Sequence, residues 1–495
     1  MKFRSYLRAK RTARGLADRR EGGRYEPDDQ PQADASLRRA GPCVGEKRPR
    51  ALIGSMREPA RLFPGRSLLA KIRKHAEFTK YYRRLARAGL LRLLLLTLAH
   101  CSASALPCAG ANCAAGDAQN AGEATVDSYI TLDASELPTA ATLTDLGSIT
   151  TAASGLSAAL PFDLAADTTA IQLEISGLQA WQLTGAELSG PAGQIVVAKT
   201  WLDLSAPQAV CTTCLNRVGT QPGQVVIAVP SGDAVAVQPG HWLLRVAAYE
   251  RDSEGTFLGP RTGPVHVALA RRHQSSTQAM SYQVDINLLF TGALGITAAI
   301  APDFPRIQDA LTTMKTLLAQ ANVQVATVRY TDVTAPALVI AHDTGSDSDI
   351  DALFASLPPQ PPGINVVLVD QLFVRDASPS LAPVLGLSGG IPGPFTNHGP
   401  RAGVVVSLAT GPGEDDDLGY TLAHELCHYL GLWHTVEQPV AGGTAVEDPI
   451  EDTQGNDTQN LMNWTHSPFG KGTLTAGQVR MVQRSPWLSP VPGGN

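Results

Sequence analysis

Between residues 126 and 270 apolar and polar positions alternate in short runs. Ala170–Ile175, Gln194–Val197, Gln224–Val229, Trp242–Val246 and Val265–Leu269 are four to six residues long, with Gly, Pro, Asp and Ser between them. Alternation with period two sends every second side chain to one face, so each run reads as a strand with one face buried. No helical stripe of useful length interrupts them. Strands at this spacing predict an all-β sandwich.

The pattern changes after residue 282. Gln283–Phe290 alternates as a strand with Val284, Ile286 and Leu288 inward. Ile307, Leu311, Met314, Leu317 and Leu318 then recur with a period near 3.6, which predicts a helix within 303–321. Val323–Tyr330 is a strand, Ile350–Leu357 a short helix stopped by Pro358-Pro359, and Ile364–Val369 a buried strand. A Gly- and Pro-rich loop, Leu385–Pro400, leads to a strand over Gly403–Ser407 and a helix over Gly419–Gly431; a last helix covers Leu474–Met481. This order gives a mixed sheet with helices packed on it. The chain is therefore multidomain, with a β-sandwich at 126–270 and an α/β domain at 282–495. The joint at 271–281 holds the pair Arg271-Arg272, either a processing site or simply solvated charge.

Charge divides the chain again. Residues 1–100 hold 25 Lys+Arg and 9 Asp+Glu, whereas 101–495 hold 15 and 36. The basic part, 1–82, runs into Arg83–Gly89 and the leucine-rich Leu90–Ala99, followed by small residues. A positive segment, a short apolar run and small residues describe a secretory signal over 83–105 rather than a nucleic-acid-binding arm. About ten apolar residues are too few to span a bilayer. The length ahead of the signal points to a start at Met56 or a non-Met codon; a basic tail before a signal anchor is the alternative. Cys101 resembles the cysteine of a bacterial lipoprotein box, although His100 stands where a small residue is usual. Lipidation there would attach the protein to a membrane; cleavage after Ala103-Ser104-Ala105 would free it. Either way the product is exported, secreted or held at the cell surface. An Ala-, Gly-, Asn- and Asp-rich tether, 106–125, follows.

Cysteine use fits export. Cys108 and Cys113 are near enough to pair. Cys211 and Cys214 form a C-x-x-C without a second pair or nearby histidine, which favours a small disulfide loop over a metal site. Cys427 reads as a buried thiol.

Chemistry concentrates at residues 424–434, H-E-x-x-H-x-x-G-x-x-H. Helical residues four apart share a face, so His424 and His428 can offer nitrogens to one ion, with Glu425 beside it as general base. Gly431 suits a left-handed helix end, after which His434 returns as third ligand. Three protein ligands leave tetrahedral zinc one open position, the catalytic arrangement.

This long motif resembles the metzincin clan of zinc metalloproteases. The resemblance implies a buried methionine turn beneath the metal, for which Met462 in Asn460–Trp464 is placed. It also implies an edge strand that pairs with extended substrate, here Val404, Val405, Val406 and Ser407. Asp452-Thr453, Asn460-Leu461-Met462 and Thr475–Met481 further resemble the pappalysin family, over roughly 282–487. Ser189–Gly193 and Val237–Trp242 resemble jelly-roll accessory domains of secreted bacterial proteases. Together these imply a zinc endopeptidase acting on protein or peptide substrates. An exported surface-binding protein with an inactive or incidental protease domain is the alternative. The oligomeric state is not legible.

Two positions depart from the family. Trp464 stands where a tyrosine often helps hold the transition-state oxyanion; its indole N–H can donate one hydrogen bond. No cysteine follows Cys427, so the loop after the helix is held in another way. Calcium on some of Asp448, Asp452 and Asp457, or on Asp415–Asp417, is one way; an acidic exported surface is the plainer reading of the same residues.

Overall fold

This computed structural model describes residues 141–491, apart from 205–209, 253–255, 275–280, 336–338, 343–348, 376–380, 397–398, 410–416, 438–444, 454, 456 and 465–471. The basic segment, the stretches read as signal and tether, Cys101, Cys108 and Cys113 lie outside the described residues. All described residues belong to one compact unit, Gln119–Asn495. They are mostly β-sheet, with four α-helices among them. None of these helices is long and apolar enough to cross a membrane.

The N-terminal part holds β1 (Ala141–Thr151), β2 (Leu160–Leu164), β3 (Thr168–Ser176), β4 (Trp181–Ser189) and β5 (Ile195–Val197). It continues with β6 (Gln221–Pro222), β7 (Gln224–Val229), β8 (Gly240–Arg251), β9 (Phe257–Pro260) and β10 (Gly263–His273). One sheet runs β1-β10-β3-β7; the other runs β2-β8-β4-β5, with β6 beside β4 and β9 beside β8. Leu173, Ile175 and Ile227 from the first sheet share a core with Leu183, Trp242 and Leu244 from the second. On β8, Trp242 and Leu244 are buried while His241 and Leu243 are exposed, as a one-sided strand requires. The opposite face of β3 and β7 is not wet, because Glu174 and Gln224 are buried there against Thr396.

Arg271-Arg272 is not an exposed joint. Both residues lie in β10. Arg272 is buried, donates to the carbonyls of Ser485 and Leu488 at 2.7 and 2.9 Å, and lies over the Tyr282 ring. Cleavage there would require a paired strand to leave its sheet, so the processing reading fails.

The C-terminal part opens with β11 (Tyr282–Phe290), α1 (Pro305–Leu318), β12 (Val323–Asp332), β13 (Val339–His342) and α2 (Asp349–Ala355). Next come β14 (Ile364–Val369), β15 (Gln371–Arg375), β16 (Leu381–Val384), β17 (Gly386–Ser388), β18 (Val404–Ser407) and α3 (Asp417–Tyr429). A hairpin, β19 (Val436–Glu437) and β20 (Val446–Glu447), precedes α4 (Ala476–Gln483) and β21 (Ser489–Pro490). The main sheet is ordered β12-β11-β14-β18-β17; its first four strands are parallel and β17 is antiparallel. Helix α1 buries Ile307, Leu311, Met314, Leu317 and Leu318, the expected stripe, in one core with α3 and the sheet. Pro305 begins it, where a fixed φ and a missing N–H cost nothing.

A second expectation is overturned. Val404, Val405, Val406 and Ser407 do not form the sheet edge. β18 is parallel to β14 on one side and antiparallel to β17 on the other, and all four residues are buried. Its backbone groups are committed on both sides, so no substrate strand can add to it. The edge is β17, within the stretch read as loop.

Candidate metal centre

Helix α3 carries His424, Glu425 and His428. It ends in a Schellman turn: Leu432 N–H donates to Cys427 O and Gly431 N–H to His428 O, each at 2.9 Å. Gly431 has φ +114°, where a side chain would be strained. The reversal returns the chain to bring His434 against the first two histidines.

The three rings are locked by their outward nitrogens. His424 Nδ1 faces Leu461 O at 2.7 Å, His428 Nδ1 faces Leu432 O at 2.6 Å, and His434 Nδ1 faces Glu437 Oε2 at 3.0 Å. Each acceptor fixes the ring proton on Nδ1. The Nε2 atoms then carry lone pairs, and they converge: His434 Nε2 lies 3.2 Å from that of His424 and 3.1 Å from that of His428. With no proton between them these contacts are repulsive unless a cation joins them. Burial first, then His434 and His424, push the His428 pKa well below its ordinary value, so it stays a neutral ligand. Among the described residues this is the only group of three or more His, Cys, Asp or Glu that could hold a metal ion. The donor set fits zinc.

Glu425 is buried, and burial pushes its pKa up to about 8 against a hydrogen bond from the Ser388 main chain. It packs on the edge strand so closely that a Cβ on Gly386 would lie 2.5 Å from Glu425 Cγ. A cleft of about 430 Å³ opens over the histidines and Glu425, walled by Leu385, Leu387, Ile391, Tyr420 and Trp464 among others. Trp464 stands at its rim, 43% exposed.

Met462 is fully buried in a tight turn, where Asn463 N–H donates to Asn460 O at 3.1 Å and Met462 N–H to Asn460 Oδ1 at 2.8 Å. Asn460 exchanges two hydrogen bonds with Gln478 at the start of α4, itself set by a Thr475–Gln478 capping box. Met462 O accepts from Thr435 N–H, beside His434. The turn therefore ties α3, α4 and the third histidine together.

The acidic residues offered for calcium do not gather. Asp448 accepts from Ile450 N–H and the Thr453 hydroxyl, Asp452 from Thr475 Oγ1 and Gly477 N–H, and Asp457 from Gln459 N–H. Each accepts hydrogen bonds in a different stretch of chain, and among the described residues the three do not come together at one point. Asp415 and Asp416 lie outside the described residues, as does the Asp417 side chain. Cys427 is buried and free, with its pKa pushed up to about 12 by burial, and it sits in the core rather than among the ligands. Cys211 and Cys214 are joined by a disulfide.

Sequence reasoning missed several parts. Glu437 orients His434 from three residues on, and a search for a carboxylate near the third histidine would have found it. Tyr420 donates to the carbonyls of Asn460 and Leu461 and stacks on His424. Gly386 and Ser388 adjoin Glu425 from a segment with no periodic signal.

No family model and no curated protein matches the chain. Among solved structures it is similar to metalloproteinase-II from Bacteroides fragilis, at 17% identity over 43% of this chain, with a TM-score of 0.27. The chain spans 55% of that metalloproteinase's length. An acetyl xylan esterase from the rumen bacterium Butyrivibrio proteoclasticus aligns at 9% identity over 59% of this chain and 76% of its own, with a TM-score of 0.15. A family two carbohydrate esterase from Cellvibrio japonicus aligns at 10% identity over 46% and 68%, with a TM-score of 0.10. Scores this low carry no argument, and the functional reading rests on the site itself.

Proposed function

We propose that this chain is a zinc-dependent endopeptidase of metzincin type, pappalysin-like, exported, and acting on extracellular proteins or peptides. The carrying observation is the inverted histidine cluster, with every Nδ1 held by an acceptor and every Nε2 turned inward, beside a buried carboxyl group. His424, His428 and His434 would hold the ion and Met462 would support them from below. When bound, zinc supplies Lewis acidity, polarising a carbonyl and activating water.

Glu425 takes a proton from the attacking water and delivers it to the leaving amine. Burial in the metal-free protein disfavours its charged form, which favours the protonated state through which it passes the proton on. Substrate lies extended along β17, whose Leu387 lines the cleft, and adds as a further strand. Trp464 reaches the cleft from the other wall and offers an indole N–H to the developing oxyanion. The pair of N-terminal sheets is read as a jelly-roll-like sandwich attached to this catalytic domain. The Cys211–Cys214 disulfide accords with an oxidising compartment. Cys101 is the residue that lipidation would use. Nucleic acid is not among the proposed partners.

Cleavage profiling with a peptide library tests this reading, using the full chain with a chelator and Glu425→Ala as controls. Cleavage lost in both controls supports it. Cleavage that survives either one contradicts it.

A further inference from the structure

We propose that Arg217, carried by the N-terminal sheets, is a positioning residue for His434: it pins the β19–β20 hairpin whose Glu437 orients that imidazole. The proposal rests on reading the three histidines as a metal site.

Arg217 lies three residues after the Cys211–Cys214 disulfide, in a segment closed by the Val210–Gly219 bridge. The backbone there is firmly held. Cys211 N–H donates to Val218 O at 2.9 Å, Asn216 N–H to Val196 O at 3.1 Å, and Arg217 N–H to Ser231 Oγ at 2.7 Å. The side chain crosses to the C-terminal part, where Nη2 donates to the main-chain oxygen of Glu447. Its guanidinium lies over the Trp433 ring, 5.4 Å from the centroid. Trp433 immediately precedes His434. Glu447 pairs with Val436 in the hairpin, and Glu437 is the next residue. The guanidinium charge acts on both the Glu437 and Asp448 carboxylates. One side chain thus grips the chain before the third histidine and the hairpin after it. This grip adds to the main-chain hydrogen bonds that Thr435 makes with Met462 and Asp448 in the segment after the helix.

Packing alone does not account for the choice of arginine. Arg217 is buried, and its Nη1 has no hydrogen-bond acceptor among the described residues. A buried cation costs desolvation, and an apolar side chain of similar volume often serves stability as well or better. The two parts are already joined nearby, with Arg480 paired to Asp233 at 3.0 Å and Asp233 N–H on Pro449 O at 3.3 Å.

The test is zinc affinity by chelator competition on the full chain, for Arg217→Met, Arg217→Lys, Glu437→Gln and the double variant Arg217→Met/Glu437→Gln. Thermal unfolding of each metal-free protein is measured alongside. Arg217→Met weakens zinc binding about 10-fold, the lower end for groups that orient metal ligands, while the metal-free melting temperature holds or rises. Arg217→Lys falls between. In the Glu437→Gln background the Arg217 change adds little, because its route to His434 is already cut. Wild-type affinity in Arg217→Met overturns the proposal. So does a loss that is fully additive with Glu437→Gln, or one that tracks a fall in metal-free stability. If the wild-type chain itself binds no zinc, the metal reading falls and takes the proposal with it; the two failures are told apart by that one sample.

Discussion

His424 Nδ1 donates to the main-chain oxygen of Leu461, 2.7 Å away, and the residue after Leu461 is the buried Met462. On the proposed reading, the methionine acts on the metal site through its neighbour's carbonyl. Truncating it by Met462→Ala leaves a cavity under the turn and costs about 2–5 kcal/mol of stability. Bound zinc falls with it as the carbonyl shifts. Met462→Leu keeps the volume and costs less than about 1.5 kcal/mol. Denaturant unfolding and metal content of the two variants check this; an alanine variant normal in both would remove the turn from the account.

Gly386 leaves no room for a side chain beside Glu425. Gly386→Ala therefore pushes the carboxylate off its position without touching a histidine. A displacement near 1 Å costs catalysis on the order of 100-fold, with zinc content unchanged. Steady-state kinetics beside metal analysis separates this from loss of the metal.

Glu174 predicts a pH dependence between the two parts of the fold. Burial raises its pKa from the ordinary 4.5 to about 7, opposed by hydrogen bonds from Gln224, Phe395 and Thr396. The folded protein therefore holds this proton more tightly than the unfolded chain. Its stabilisation is complete below pH 4.5 and lost as pH rises through about 7, on the order of 3 kcal/mol in all. Thermal melts from pH 4.5 to 8 should show that decline, and Glu174→Gln should flatten it. A wild-type profile without the decline contradicts the assignment.

Cys427 should be silent. Its buried thiol stays protonated at neutral pH, so a thiol reagent labels it only after denaturation. Cys427→Ala should keep full zinc content. Loss of the metal would make the thiol a ligand.

The helix that carries His424 and His428 and most strands were legible because each is a local pattern: i, i+4 histidines, a glycine stop, alternation; the Met462 turn was reached through the family resemblance. The sheet edge was not. Gly386–Ser388 is three residues long inside a Gly- and Pro-rich stretch, too short to show a period. The true position of β18 was partly visible, since Val404–Val406 is a continuous apolar run, the mark of a strand covered on both faces. Arg217 and Glu174 were invisible for a different reason. Their roles depend on partners about 200 residues away, and no local signal links them. Arg272 deceived for the same cause, since its acceptors at Ser485 and Leu488 come from the far end of the chain.

The central claim is that Glu425 moves the proton at a metal site built by His424, His428 and His434. The most direct measurement compares peptide hydrolysis by wild type and Glu425→Gln at matched zinc content. The account predicts equal zinc in both and cleavage by wild type alone. Equal cleavage by both proteins would contradict it.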